Sequence, residues 1–196
     1  MGKIKTYSLA FLVLSLSACQ SLNTRYCKSV NWRELGSTSA LAGKDKTKTF
    51  TENISLCPKT KFPVDEAGYY EGFERGLAQF CTVSNGYDFG AKGALYNKTC
   101  SSSAEGGFLK GYYKGRVDYL NRELSKHSEL YTEAEDRLWR KEREYLIIQN
   151  EDPEQAKLEV DIIEAYREEA RMLSQKKRAL KKEIIQTKKA SEESYF

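Results

Sequence analysis

In the second half of the chain, apolar and seam positions recur in alternating steps of four and three. Tyr113, Val117, Leu120, Leu124, His127, Tyr131, Ala134, Leu138, Lys141, Tyr145 and Ile148 form one series; Ile163, Tyr166, Ala170, Leu173, Lys177, Leu180 and Ile184 form a second. This is the seam of a coiled coil or of long amphipathic helices. Between the series, Asp152 suits an N-cap, Pro153 suits the first helical position and Gln155 completes a capping box. The pattern predicts two helices folded back as an antiparallel hairpin over 117–196, turning near 149–153. Each helix, at roughly 40 residues, would reach about 60 Å. The acids Glu129, Glu133, Glu135 and Asp136 and the bases Lys176, Lys177, Arg178, Lys181 and Lys182 read as solvated faces. A basic patch for anionic lipid or glycan is the alternative.

The first half has another pattern. Gly68, Gly72 and Gly76 stand at every fourth position, as do Gly107, Gly111 and Gly115, with Gly86, Gly90 and Gly93 as a shorter version. A spacing of four lines up one face of a helix. Each glycine costs about 1 kcal/mol against alanine in a helix, and close backbone approach is what offsets such a cost. The stripes at 68–76 and 107–115 are expected to pack on each other or on the shorter segment. Neighbouring tyrosines would bury their rings and find partners for their hydroxyls. Such spacing also occurs in membrane helices, but Glu71, Glu74, Arg75, Lys110 and Lys114 exclude a lipid-embedded segment here. A second use of these faces is a groove for an extended glycan or peptide, with Trp32, Tyr69, Tyr70, Tyr112 and Tyr113 as its ligand-binding residues.

At the amino terminus, Lys3 and Lys5 precede an apolar run from Leu9 to Leu16, then Ser17-Ala18-Cys19. The run is too short to span a bilayer, which takes about 20 apolar residues, and it suits a secretion signal over 1–18. Small residues before a cysteine resemble the bacterial lipoprotein box. That resemblance implies acylation of Cys19 and a mature chain hung from a membrane by acyl chains, with 19–26 as anchor and linker. Gln20 stands where an aspartate would retain a lipoprotein in the inner membrane. The expected address is therefore the outer membrane, on the leaflet facing the periplasm.

Composition sharpens this. The signal removes two of the 32 basic residues and none of the 28 acidic ones, so the mature chain is near neutral. Nucleic-acid binding, which wants a basic face, has no support. Cys27, Cys57, Cys81 and Cys100 remain, an even number in an exported chain, and read as two disulfides. Three connectivities exist. Loop closure favours near neighbours in sequence, hence Cys81–Cys100 with Cys27–Cys57. Zinc is disfavoured, because no Cys-x-x-Cys pair occurs and His127 is the sole histidine. No metal or other cofactor is expected.

No nucleophile motif or phosphate loop occurs. His127 falls on the helical seam, and Asp65-Glu66 reads as a helix N-terminus starting near Ala67. Glu71 and Glu74 are the carboxylates a glycan hydrolase would use, a lesser reading beside a non-catalytic protein.

Cys27, Trp32, Leu35-Gly36, Cys57, Tyr69, Gly72, Gly76-Leu77 and Phe80-Cys81 open an ordered spacing. It continues through Asn85-Gly86-Tyr87, Gly90, Gly93, Tyr96, Cys100, Phe108, Gly111-Tyr112 and Gly115. This set, from about Cys27 to Val117, resembles a family of uncharacterised proteobacterial outer-membrane lipoproteins, domain of unknown function family 2799. Where that family tends to carry Asp-Gly after Leu-Gly, this chain has Ser39-Ala40.

The sequence thus predicts a mainly α protein: a disulfide-stapled Cys/Gly/Tyr-rich helical domain over 27–116, then the hairpin. Its expected role is non-catalytic. It would be tethered at Cys19 and would offer the hairpin to a protein partner or to itself. An envelope glycan or peptide module, peptidoglycan included, is the alternative.

Overall fold

The computed structural model describes residues 25–57 and 62–194; the signal segment, Cys19 and the last two residues lie outside them. Among the described residues all regular structure is helical. A helical turn at 25–29 precedes α1 (Trp32–Leu41), α2 (Lys46–Ser55), α3 (Glu66–Phe80), α4 (Val83–Ala91), α5 (Ser102–Glu151) and α6 (Pro153–Glu193). None of these helices is long and apolar enough to cross a membrane. Contacts group the chain into two compact units. One runs through Thr82 and includes Tyr96–Glu105; the other comprises Val83–Leu95 and everything from Gly106 onward. The compositional change at 116/117 falls inside the second unit, because the stripe at 107–115 packs there on α4.

In the first unit the helices start where short polar side chains cap them. Asn31 accepts from the Glu34 amide at 3.1 Å, Asp45 from Lys48 at 2.7 Å and Asp65 from Gly68 at 2.8 Å. Helices α1 and α3 then meet backbone to backbone. A methyl on Gly36 would strike the Tyr69 carbonyl, one on Gly72 the Arg33 carbonyl and one on Gly76 the Ser37 carbonyl. Around that contact Trp32, Phe50, Tyr69 and Phe73 form the buried core. Trp32 and Phe50 meet edge-on at 5.9 Å, and Phe50 and Tyr69 lie 5.0 Å apart. The Tyr69 hydroxyl donates to the Lys46 carbonyl at 3.2 Å. The disulfides are Cys27–Cys57 and Cys81–Cys100, with Cα separations of 5.5 and 5.6 Å. Loops of this size are worth roughly 3 kcal/mol each in the chain-entropy picture.

The second unit repeats the arrangement with α4 and the first turns of α5. A methyl on Gly86 would strike the Phe108 carbonyl, on Gly90 that of Tyr112, on Gly111 that of Val83 and on Gly115 that of Tyr87. The two pairs match position for position. Gly36, Ala40 and Gly43 correspond to Gly86, Gly90 and Gly93. Tyr69, Gly72, Phe73 and Gly76 correspond to Phe108, Gly111, Tyr112 and Gly115. Even the helix ends agree. Gly43 (φ 66°) and Gly93 (φ 77°) are both left-handed. Lys44 bonds the Ser39 carbonyl at 3.1 Å as Ala94 bonds that of Phe89 at 3.2 Å. The chain therefore holds two copies of one glycine-faced helix pair. The stripe at 68–76 packs on α1 and not on 107–115, while 107–115 takes the shorter segment as its partner.

Beyond the second pair, α5 and α6 form the antiparallel hairpin. Every seam position predicted from the four–three spacing is buried or half-buried. Asp152 accepts from the Gln155 amide at 3.0 Å, with Pro153 opening α6. The helices run 50 and 41 residues, about 75 and 60 Å at 1.5 Å per residue. Lys177 lies 4.0 Å from the Tyr131 ring centre, so that seam lysine packs as a cation–π pair. Lys141 reaches Glu159 at 2.7 Å, and both are mostly buried. Arg137–Glu169 and Arg167–Glu142 are half-exposed pairs, worth little individually. At the other end, Arg116 donates to the Gly93 carbonyl at 2.7 Å and pairs with Glu183 at 2.6 Å. One guanidinium thus ties the end of α4 to α6.

Two predictions follow from this packing. Gly111→Ala should destabilise the fold by at least about 2 kcal/mol despite alanine's better helix propensity, because its methyl meets backbone that cannot yield. Gly106, also in α5, has nothing within 4 Å of a built Cβ. Gly106→Ala should instead gain roughly 0.5–1 kcal/mol, and opposite signs in denaturant melts of the two variants are the check. The Tyr96 hydroxyl accepts from the Cys100 amide at 3.0 Å and donates to Glu105 at 3.1 Å. Burial, with Glu105 adding to it, pushes its phenol from 10.0 up to about 12. The fold thus favours the neutral ring. That contribution is fully present below pH 10 and is lost as pH rises from 10 towards 12. Alkaline melts should fall more steeply for the parent than for Tyr96→Phe across that interval. Parallel curves would contradict this.

Candidate functional site

The aromatic residues expected to bind a ligand are mostly core. Trp32 and Tyr112 are 5% and 8% exposed, and Tyr69 is fully buried. Tyr70 is half-buried, its ring 5.3 Å from Phe50 and 5.6 Å from the Lys46 ammonium. The glycine faces offer no groove either, since a neighbouring backbone already fills each one. The reason is physical. A face bare enough to admit a ligand is also bare enough for a second helix, and a helix of the same chain is always at hand. Of the five residues, Tyr113 lines a cleft.

The candidate catalytic groups sit in structural settings. Glu71 pairs with Arg33 at 2.6 Å and with Arg75 at 3.1 Å, and Glu74 with Lys46 at 2.9 Å. All these side chains are about half exposed. Asp65 caps α3, as its place before Ala67 implied. His127 lies in the hairpin seam, its Nδ1 buried without a hydrogen-bond partner. Among the described residues no group of three or more His, Cys, Asp or Glu could hold a metal ion. The four cysteines among the described residues are all in disulfides.

Two surface features of the second unit remain. The first is a cleft of about 690 Å³ where α4, α5 and α6 meet. Val83, Tyr87, Tyr113 and Val117 supply its apolar wall, and Lys110, Lys114 and Lys188 its charge. The Tyr87 hydroxyl donates to Asp118 at 2.9 Å, and that bond holds the Tyr87 phenol above its ordinary pKa. Lys114 stands 5.9 Å from the Tyr87 ring centre. Sequence reasoning marked Tyr113 and missed its neighbours. Lys110 and Lys114 read there as charges that exclude lipid, and Lys188 reaches the cleft only through the return of α6.

The second feature is the turn end of the hairpin. Leu146, Ile147 and Leu158 are 59%, 63% and 73% exposed. Beside them Tyr145, Val160 and Ile163 line a shallow depression of about 470 Å³. Leu146, Ile147 and Leu158 stand outside the seam, and Leu146 shares the depression with the seam residues Tyr145 and Ile163.

No curated protein and no solved structure matches the chain. Residues 31–117, which take in both glycine-faced helix pairs, match the family model described as "Protein of unknown function (DUF2799)".

Proposed function

We propose that this chain is a non-catalytic bacterial lipoprotein, exported and acylated at Cys19, whose hairpin serves as an interaction arm in the periplasm. The observation that carries the reading is the apolar turn end. Leu146, Ile147 and Leu158 lie outside the seam and are more than half exposed, so the hairpin's own stability draws little on them. Exposed large apolar side chains grouped at one place mark contact surfaces. Export draws support from the two disulfides, which persist in oxidising compartments. The anchor rests on the Ser17-Ala18-Cys19 box, and the outer-membrane address on Gln20.

A photo-crosslinking residue at Leu158 in intact cells should yield a discrete adduct with a protein of the envelope. Leu146→Glu/Ile147→Glu should abolish that adduct while leaving the helical content unchanged, because neither side chain is in the seam. Mass spectrometry of the same material should show a chain starting at an acylated Cys19. Absence of any adduct would remove the arm, and an uncleaved, unmodified terminus would remove the anchor.

A further inference from the structure

The duplicated helix pair supplies its own control. On the outer face of the first copy, Arg33, Glu71 and Arg75 neutralise one another at 2.6 and 3.1 Å, and Glu74 pairs with Lys46. The matching positions of the second copy hold Val83, Lys110, Lys114 and Tyr113. The backbone contact is the same, but the salt bridges have been replaced by two lysines, a ring and an apolar wall. Lys188 of α6 adds a third ammonium to the cleft. Among the described residues no carboxylate pairs with Lys114 or Lys188. Asp118 accepts from the Tyr87 hydroxyl and keeps its charge, and with Glu192 it sets two acids against the three lysines of the lining.

We propose that this cleft binds a carboxylate-bearing glycan. Ammonium groups recognise carboxylates as point charges, and Tyr87 and Tyr113 in the lining add aromatic surface for a sugar ring. The hydroxyls of Ser84 and Ser191, both in the lining, suit sugar hydroxyls. An extended acidic peptide is disfavoured. The walls are helical, their amides and carbonyls already bonded within the helices, so a peptide backbone would leave its own polar groups unmatched. The proposal is independent of the hairpin's turn end, which shares none of these residues.

The test is calorimetric titration of the mature chain with an oligogalacturonate, an uncharged oligosaccharide of equal length and a glutamate oligomer. The oligogalacturonate should bind, and raised salt should weaken it. Lys114→Gln and Lys188→Gln should each weaken it by about tenfold or more, as expected for loss of a charged hydrogen bond. Arg75→Gln, the matching change on the first copy, should leave binding unchanged. Both lysines are exposed, so the variants should fold, and circular dichroism verifies that. No binding, equal binding of the uncharged sugar, tighter binding of the glutamate oligomer, or a Lys114→Gln/Lys188→Gln double variant that binds like the parent would each overturn the proposal.

Discussion

The fold depends on carbonyl oxygens seated where a side chain would otherwise be. At Gly36, Gly72, Gly76, Gly86, Gly90, Gly111 and Gly115 the facing atom is a backbone oxygen of the partner helix, closer than any Cβ allows. Approach this tight brings Cα–H groups onto carbonyls along the whole contact. Those weak bonds, at about half a kcal/mol or more each, work with the packing gain against the helical cost of glycine. They also expel every large side chain from the contact line. The aromatic residues must therefore flank it, which is why Tyr69, Phe73, Phe108 and Tyr112 are buried beside their stripes.

One solution used twice leaves room for divergence at the same positions. Leu77 in the first copy packs against the aromatic core. Its counterpart Arg116 bonds the Gly93 carbonyl and Glu183, and so joins α4 to the hairpin. Phe80, buried, corresponds to Tyr119, which takes the Arg116 guanidinium over its ring at 5.2 Å. The first copy thus closes on itself with aromatics and disulfides. The second exchanges part of that closure for an attachment to α6.

Patterns local to one helix were legible in the sequence. The four–three spacing located both seams and the turn, because one helix face reports itself within a single stretch of chain. Asp65 and Asp152 announced their caps for the same reason, and the disulfide pairing follows the shorter closures. Partnership between segments was legible only in part: the shorter segment was one of the two partners expected for 107–115, while α1 was not expected for 68–76. Gly36 is the one glycine within α1, its stripe continued by Ala40, so no glycine repeat marks it as the mate of Gly72. Tyrosines beside glycine suggest a ligand surface and a core equally well until the second helix is placed. The cleft was illegible for the same reason, since Lys188 and Lys114 lie on different helices and meet only through the hairpin's return.

The turn end carries an energetic constraint on the proposed arm. Fully burying a leucine or isoleucine gains about 1.5–3 kcal/mol, so Leu146, Ile147 and Leu158 together supply well under 10 kcal/mol. Association costs 4–15 kcal/mol or more in lost freedom. Three such side chains therefore give weak binding between freely diffusing molecules, even with help from the depression beside them. A tether changes that balance, because confinement to one surface raises effective concentration without any new contact. An arm of this kind works only for a protein whose partner is held to the same envelope, and acylation at Cys19 would supply that condition. Anchor and arm are thus one mechanism: a soluble form lacking the lipid should keep its fold and lose most of its partner occupancy.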